Sequence, residues 1–291
     1  MNVAVLGAGA MGRGIARASA RAGHEVTLRD LKGEHVRSGS GTIEALQERI
    51  DRENVAPAGH EGAFGRIADT AGLDDVAGAD LVIEAVPRGI DVRRSVIADA
   101  ERVTDGAVIA STASSPSLTR ITSVLDDPAR VIGLHFTDPI HLTDLVEVVV
   151  AERTAGSTVE FAAEFVASLE KETVVIADAP GFATSRLGVA VCVEAIRMVE
   201  RGVAGPRAID RAMELGYGHP RGPLALTDVA GLDVRLSLLE DLREELGERF
   251  RPPRLLKEKV RAGELGEKTG EGFYVWEDGD RVGVSGTRSI E

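Results

Sequence analysis

Val3-Ala4-Val5-Leu6-Gly7-Ala8-Gly9-Ala10-Met11-Gly12 is the stretch whose reading decides the fold. Four apolar residues with alternating β-branching read as a buried strand, and the glycine pattern then breaks it. An amphipathic stretch over residues 11–22 reads as a helix, and a second β-branched run over 25–29 ends in Asp30, 18 residues after Gly12. Strand, glycine turn, helix, strand and acid, in that order, are the parts of a dinucleotide-binding βαβ unit. Gly7 permits the tight turn, Gly9 lets a pyrophosphate approach the backbone, and Gly12 lets helix and strand pack closely. Ala8, Ala10 and Met11 complete the loop, whose free N–H groups at the helix start attract phosphate. Asp30 can accept hydrogen bonds from both ribose hydroxyls and would repel a 2′-phosphate. NAD is therefore the expected cofactor, although Arg29 and Lys32 flank the acid.

Outward from this unit the same rhythm continues. Short apolar runs over 81–86, 107–110, 131–135, 145–150 and 173–176 alternate, in the first part, with helix patterns over 34–52 and 91–103. Such βαβα alternation predicts a Rossmann-type, doubly wound, mostly parallel sheet. After Asp178-Ala179-Pro180-Gly181 the pattern turns helical, over 187–201, 206–215, 224–246 and 254–261. The expected organisation is thus a nucleotide-binding domain over 1–180 and an all-helical C-terminal domain over 181–291.

Composition removes several function classes. With 47 acidic against 34 basic residues the 291-residue chain carries a net charge of −13, which repels nucleic acid. No apolar run reaches the ~18 residues of a membrane span, the N-terminus lacks a basic signal-peptide region, and a cytoplasmic protein is expected. The single cysteine, Cys192, excludes an internal disulfide and a cysteine-built zinc site, so no metal is expected. Cys192, Tyr274 and Trp276 read as core residues, and His24 as a surface-loop residue.

The chemistry is expected at the carboxyl ends of the strands, where an open sheet places its ligand crevice. His135 ends one run, Glu147 follows 12 residues later, and Ser114 stands just after another. A histidine with a carboxylate partner and a nearby hydroxyl suits alcohol–ketone redox chemistry: one ring nitrogen takes the hydroxyl proton while the carboxylate steadies the imidazolium.

In these motifs the chain resembles the 3-hydroxyacyl-CoA dehydrogenase family, 3-hydroxybutyryl-CoA dehydrogenases included, almost from end to end. The resemblance is carried by Val5-Leu6-Gly7-Ala8-Gly9-Ala10-Met11-Gly12, Leu81-Val82-Ile83-Glu84-Ala85-Val86, Gly133-Leu134-His135-Phe136 and Leu145-Val146-Glu147-Val148. It continues through Asp178-Ala179-Pro180-Gly181-Phe182, His219-Pro220-Arg221-Gly222-Pro223-Leu224 and Lys268-Thr269-Gly270-Glu271-Gly272-Phe273-Tyr274. By resemblance, His135 is the base, Glu147 its partner, Ser114 and Ser185 substrate-site hydroxyls, and Arg93, Asp138 and Lys268 further cofactor contacts. The resemblance also implies an acyl-CoA substrate, a place in fatty-acid β-oxidation, and a homodimer formed through the helical domain.

The chain departs from the family in the polar shell. Ser185 stands where the family has asparagine, Thr112-Ala113-Ser114-Ser115 replaces asparagine-threonine-serine-serine, and Arg88 replaces a glutamate. Thr137-Asp138 replaces the phenylalanine-asparagine that follows His-Phe. A hydroxy-acid dehydrogenase of the L-gulonate 3-dehydrogenase type, needing no CoA, is therefore an alternative, and a non-catalytic NAD-binding protein another. The 3-hydroxyisobutyrate type needs a mid-chain catalytic lysine, and none occurs between Lys32 and Lys171.

Overall fold

The computed structural model describes residues 1–30, 63–86, 89–114, 117–137 and 140–286. The helix expected over 34–52 lies outside the described residues, as do Lys32, Arg88, Ser115 and Asp138. The chain divides into two compact units, Met1–Phe182 and Ala183–Glu291.

The first unit is a doubly wound sheet. Its strands are β1 (Asn2–Leu6), β2 (Glu25–Arg29), β3 (Ile67–Thr70), β4 (Leu81–Glu84), β5 (Val108–Ser111), β6 (Val131–Phe136), β7 (Leu145–Val150) and β8 (Glu172–Ala177). They lie in the order β3-β2-β1-β4-β5-β6-β7-β8. All neighbours pair in parallel except β6 and β7, which are antiparallel. Helices cover both faces, as a parallel sheet requires. Val3 and Val5 face Ile15, Ala16 and Ala20 of α1 (Ala10–Arg21) in one apolar cluster, together with Phe165 and Val166 of α4 (Gly156–Ser168). Ala4 and Leu6 point the other way, into a cluster with Val96 and Ala100 of α2 (Ile90–Val103). The short α3 (Leu118–Thr122) precedes β6.

β3 was not legible in the sequence, because Ile-Ala-Asp-Thr is half polar and its residues are no more than partly buried at the sheet edge. His24 is not a surface-loop residue: it is buried, its Nε2 lies 2.7 Å from Ser168 Oγ, and its ring packs 5.6 Å from that of Phe165. Burial there holds its imidazole below the ordinary histidine range.

The second unit is helical: α5 (Thr184–Glu200), α6 (Pro206–Tyr217), α7 (Pro223–Ala230), α8 (Leu232–Leu246) and α9 (Arg254–Ala262). The single helix expected over 224–246 is broken at Gly231, whose φ of +90° leaves the right-handed helical region. The unit also carries a feature the helical reading did not anticipate, an antiparallel hairpin of β9 (Tyr274–Glu277) and β10 (Asp280–Val284). Its two-residue turn, Asp278-Gly279, has φ of +50° and +88°, and Asp-Gly is the sequence such a turn selects. Tyr274, Trp276 and Cys192 are buried, as expected.

Candidate active site

The glycine loop has the geometry its sequence implies. Gly7 sits at φ +115°, and a Cβ there would lie 2.6 Å from the Ala85 carbonyl oxygen. A Cβ on Gly12 would lie 1.8 Å from the Gly7 oxygen, whereas one on Gly9 would meet nothing within 4 Å. Close packing on two sides and open space over Gly9 form a cradle that fits a pyrophosphate at the start of α1. The β1–β2 register pairs Leu6 with Arg29 and so brings Asp30 to the loop, where the Ala8 N–H donates to Asp30 Oδ2 at 2.9 Å. Arg13 reaches back to the Ala8 carbonyl at 2.7 Å and steadies the same turn.

The parallel run β1-β4-β5-β6 places the carboxyl ends of these strands along one edge of the sheet. Along it stand the glycine loop, Glu84, Ser111 with half-buried Ser114 beyond it, and His135. The reversal at β7 supplies the partner. His135 and Glu147 are directly opposed in the antiparallel register, so the 12-residue spacing spans one hairpin and returns to the same level. His135 Nδ1 lies 2.6 Å from Glu147 Oε2, with the carboxylate side chain 1% exposed and the histidine 12%. An ionised carboxylate only accepts, so Nδ1–H is the donor in this pair and Nε2 is left outside it. The Phe182 ring packs against the imidazole with centroids 5.3 Å apart and planes at 66°.

Glu84, on the same edge of the sheet, is a buried carboxylate that sequence reading did not single out. It closes an apolar strand and is fully buried. Its oxygens accept from Arg93 Nη1 at 2.9 and 2.7 Å, from Ser111 Oγ at 2.6 Å, and from the Val86 N–H at 2.7 Å. Arg93 also donates to the Val86 carbonyl at 3.0 Å. Arg93 is buried and braces the chain leaving β4. The signal was present: a carboxylate ending an apolar run needs a cation, and the first turn of the following helix carries one.

The second unit holds the other expected residues. Ser185 is half-buried in the first turn of α5. Lys268 Nζ lies 2.5 Å from Asp233 Oδ1, so its charge is already paired. Two buried carboxylates organise this unit. Asp228 accepts from the Phe273 and Tyr274 N–H groups, both at 2.8 Å, and from Trp276 Nε1 at 2.9 Å. Asp210 accepts from the Leu224 N–H at 2.8 Å, the Ala225 N–H at 2.9 Å and the Tyr274 hydroxyl at 2.8 Å. Burial pushes both carboxyls above the usual range, against the pull of these hydrogen bonds. Among the described residues no helix is long and apolar enough to cross a membrane.

Comparison with known proteins adds the family. The NAD-binding domain of 3-hydroxyacyl-CoA dehydrogenase matches residues 2–179, and the C-terminal domain of the same enzyme matches residues 181–276. A 3-hydroxybutyryl-CoA dehydrogenase of Bradyrhizobium diazoefficiens is 41% identical over 275 residues, 94% of each chain. The crystal structure of FadB2 from M. tuberculosis superposes with a TM-score of 0.91 at 37% identity, covering 94% of this chain and 98% of that one. A 5-formyl-3-hydroxy-2-methylpyridine 4-carboxylate 5-dehydrogenase of Mesorhizobium japonicum is 33% identical, over 94% of this chain and 90% of its own.

Proposed function

The chain belongs to the 3-hydroxyacyl-CoA dehydrogenase family, and from that membership we propose that it exchanges a hydride between NAD and C3 of a short 3-hydroxyacyl-CoA, 3-hydroxybutyryl-CoA in the first instance. The observation that carries this reading is the His135–Glu147 pair, on the same sheet edge as the glycine cradle. Bound NAD supplies the nicotinamide that accepts the hydride. His135 Nε2 takes the 3-hydroxyl proton as the C3–H bond breaks, and Glu147 holds the ring through Nδ1 and stabilises its positive charge. Ser114 and Ser185 donate hydroxyl hydrogen bonds to substrate oxygens. In this reading residues 1–180 are the NAD-binding domain, and residues 181–291 the substrate and dimerisation domain. Arg93 acts on the cofactor through the chain it braces, Asp138 is a direct contact, and Lys268 must release Asp233 to become one. The reaction fits the 3-hydroxy oxidation step of fatty-acid β-oxidation, in the cytoplasm.

Asp30 sets the cofactor preference. Replacing it with alanine removes an anionic acceptor for the ribose hydroxyls, a hydrogen bond to a charged group worth ~1.5–3 kcal/mol. Asp30→Ala should therefore raise KM for NAD about 10- to 100-fold and narrow the preference over NADP. A wild-type enzyme with the better kcat/KM on NADP contradicts this role.

A hydroxy acid without CoA is the second reading, favoured by the 33%-identical pyridine-carboxylate dehydrogenase, whose name carries no CoA ester. NADH production on 3-hydroxybutyryl-CoA, free 3-hydroxybutyrate and L-gulonate separates the two, and turnover of any of them excludes a non-catalytic NAD-binding protein. Ser185→Asn sharpens the distinction. In an ordinary acyl-CoA site the larger amide should preserve or raise activity on 3-hydroxybutyryl-CoA. Impairment on the best substrate points instead to a site rebuilt around serine.

Assembly as a C2 homodimer is part of the proposal. Leu187 and Val191, one turn apart on α5, are 68% and 37% exposed, and Leu226 and Val234 of α7 and α8 are 38% and 39% exposed. Apolar exposure on three helices of one unit suits a surface that a second copy covers. A monomeric mass by light scattering at micromolar concentration would contradict it.

A further inference from the structure

We infer that Phe182 is a positioning residue for the reaction at His135; the inference rests on the reading of His135 as the base. Three independent features converge on this side chain. It has φ of +52°, in the left-handed region that favours glycine, and follows Gly181 at +73°. It is 5% exposed and belongs to the apolar cluster of Ile109, Ala113, Leu118, Ile121, Val131 and Val149. Its ring lies against His135, centroids 5.3 Å apart and planes at 66°.

The segment that carries it is anchored where the turn begins. Asp178 Oδ1 accepts from the Leu118 N–H at 3.0 Å, and Oδ2 from the Thr119 N–H at 2.8 Å and its hydroxyl at 2.7 Å. The Asp178 N–H donates to the Val150 carbonyl at 2.9 Å, and the Phe182 N–H to that of Ala179 at 2.9 Å. A bulky residue persists in a left-handed conformation only where its surroundings over-determine it, and such positions cluster at functional sites. Here the turn delivers a phenyl ring onto the imidazole. Glu147 fixes Nδ1 of His135 and the strand fixes its Cβ, which leaves the ring a tilt about the line between them. The phenyl contact removes that freedom, so that Nε2 keeps one direction through proton transfer. It also keeps water off that side of the ring.

The test uses the full-length protein with NAD and 3-hydroxybutyryl-CoA. Misplacement of a reacting group by about 1 Å costs about 100-fold, so Phe182→Leu should lower kcat about 10- to 100-fold while leaving KM for NAD nearly unchanged. Phe182→Gly, which relieves the backbone but removes the ring, should lose turnover likewise. In ¹⁵N-labelled wild type the His135 Nδ1 proton should give a protected, downfield resonance, which broadens or disappears in Phe182→Leu. Thermal unfolding run alongside separates this from loss of fold: a lowered Tm with wild-type kcat well below it, and an intact Nδ1 resonance, overturns the inference. If the leucine variant does not fold, Phe182→Met is read by the same two measurements. Wild-type turnover in His135→Gln would instead sink the base assignment, and the Nδ1 resonance would still decide whether Phe182 holds the ring.

Discussion

His135→Gln should lower kcat by ~10²–10⁴, the range that general acid–base help supplies, while the Kd for NAD stays close to wild type. Glutamine keeps a polar side chain near the position of the ring, but it cannot take a proton at neutral pH. The glycine cradle and Asp30 follow other strands, β1 and β2, and are untouched, so a fluorescence titration with NADH should show retained binding. Glu147→Gln should cost less. The amide can still accept from Nδ1–H, yet it carries no charge to stabilise the imidazolium, so orientation survives while electrostatic support is lost. The ranking is part of the prediction: a larger loss in Glu147→Gln than in His135→Gln would mean that the carboxylate, not the ring, handles the proton. Turnover at the wild-type level by His135→Gln on the best substrate would remove the proposed chemistry altogether.

The second large effect is on stability, and it lies in the helical unit. Asp228→Ala leaves the Phe273 and Tyr274 N–H groups and the Trp276 indole N–H buried without their acceptor. Each unsatisfied donor costs about 1–3 kcal/mol, so the loss should exceed about 3 kcal/mol. The Lys268–Tyr274 motif makes sense in this light. A Cβ on Gly272 would lie 2.3 Å from Asp228 Oδ1, and one on Gly266, just before the motif, would lie 2.1 Å from the Asp228 main-chain oxygen, so the chain can approach Asp228 this closely only with glycine at both positions. Asp228→Asn should fall between wild type and alanine, since one amide oxygen still accepts while the NH₂ faces a donor. Urea unfolding measures the difference, and an alanine variant within about 0.5 kcal/mol of wild type, the range of ordinary surface changes, would show that the network is not holding the unit.

Much of this protein was determined by sequence alone, because the deciding signals are local. The glycine spacing after an apolar strand, the acid at the end of the next strand and the βαβ rhythm are set by backbone sterics and by alternation of buried side chains, and both repeat over a few residues. The His-to-Glu interval was likewise legible, as a spacing. Weakly patterned elements escaped: β3 is half polar, and the β9–β10 hairpin announced itself only through Asp278-Gly279.

Tertiary structure decided the partners. Only the antiparallel register of β6 and β7 turns twelve residues of separation into a 2.6 Å contact between His135 and Glu147. The buried carboxylate of Glu84 draws Arg93 inward, and Asp233 takes the charge of Lys268 from 35 residues away. Phe182 reaches His135 because Asp178 pins the turn to α3 and the chain accepts a left-handed residue there. A side chain's local context states what it can bond to. Which of the compatible groups it meets depends on how distant strands and helices are brought together, and that choice is made when burial forces every polar group to find a partner.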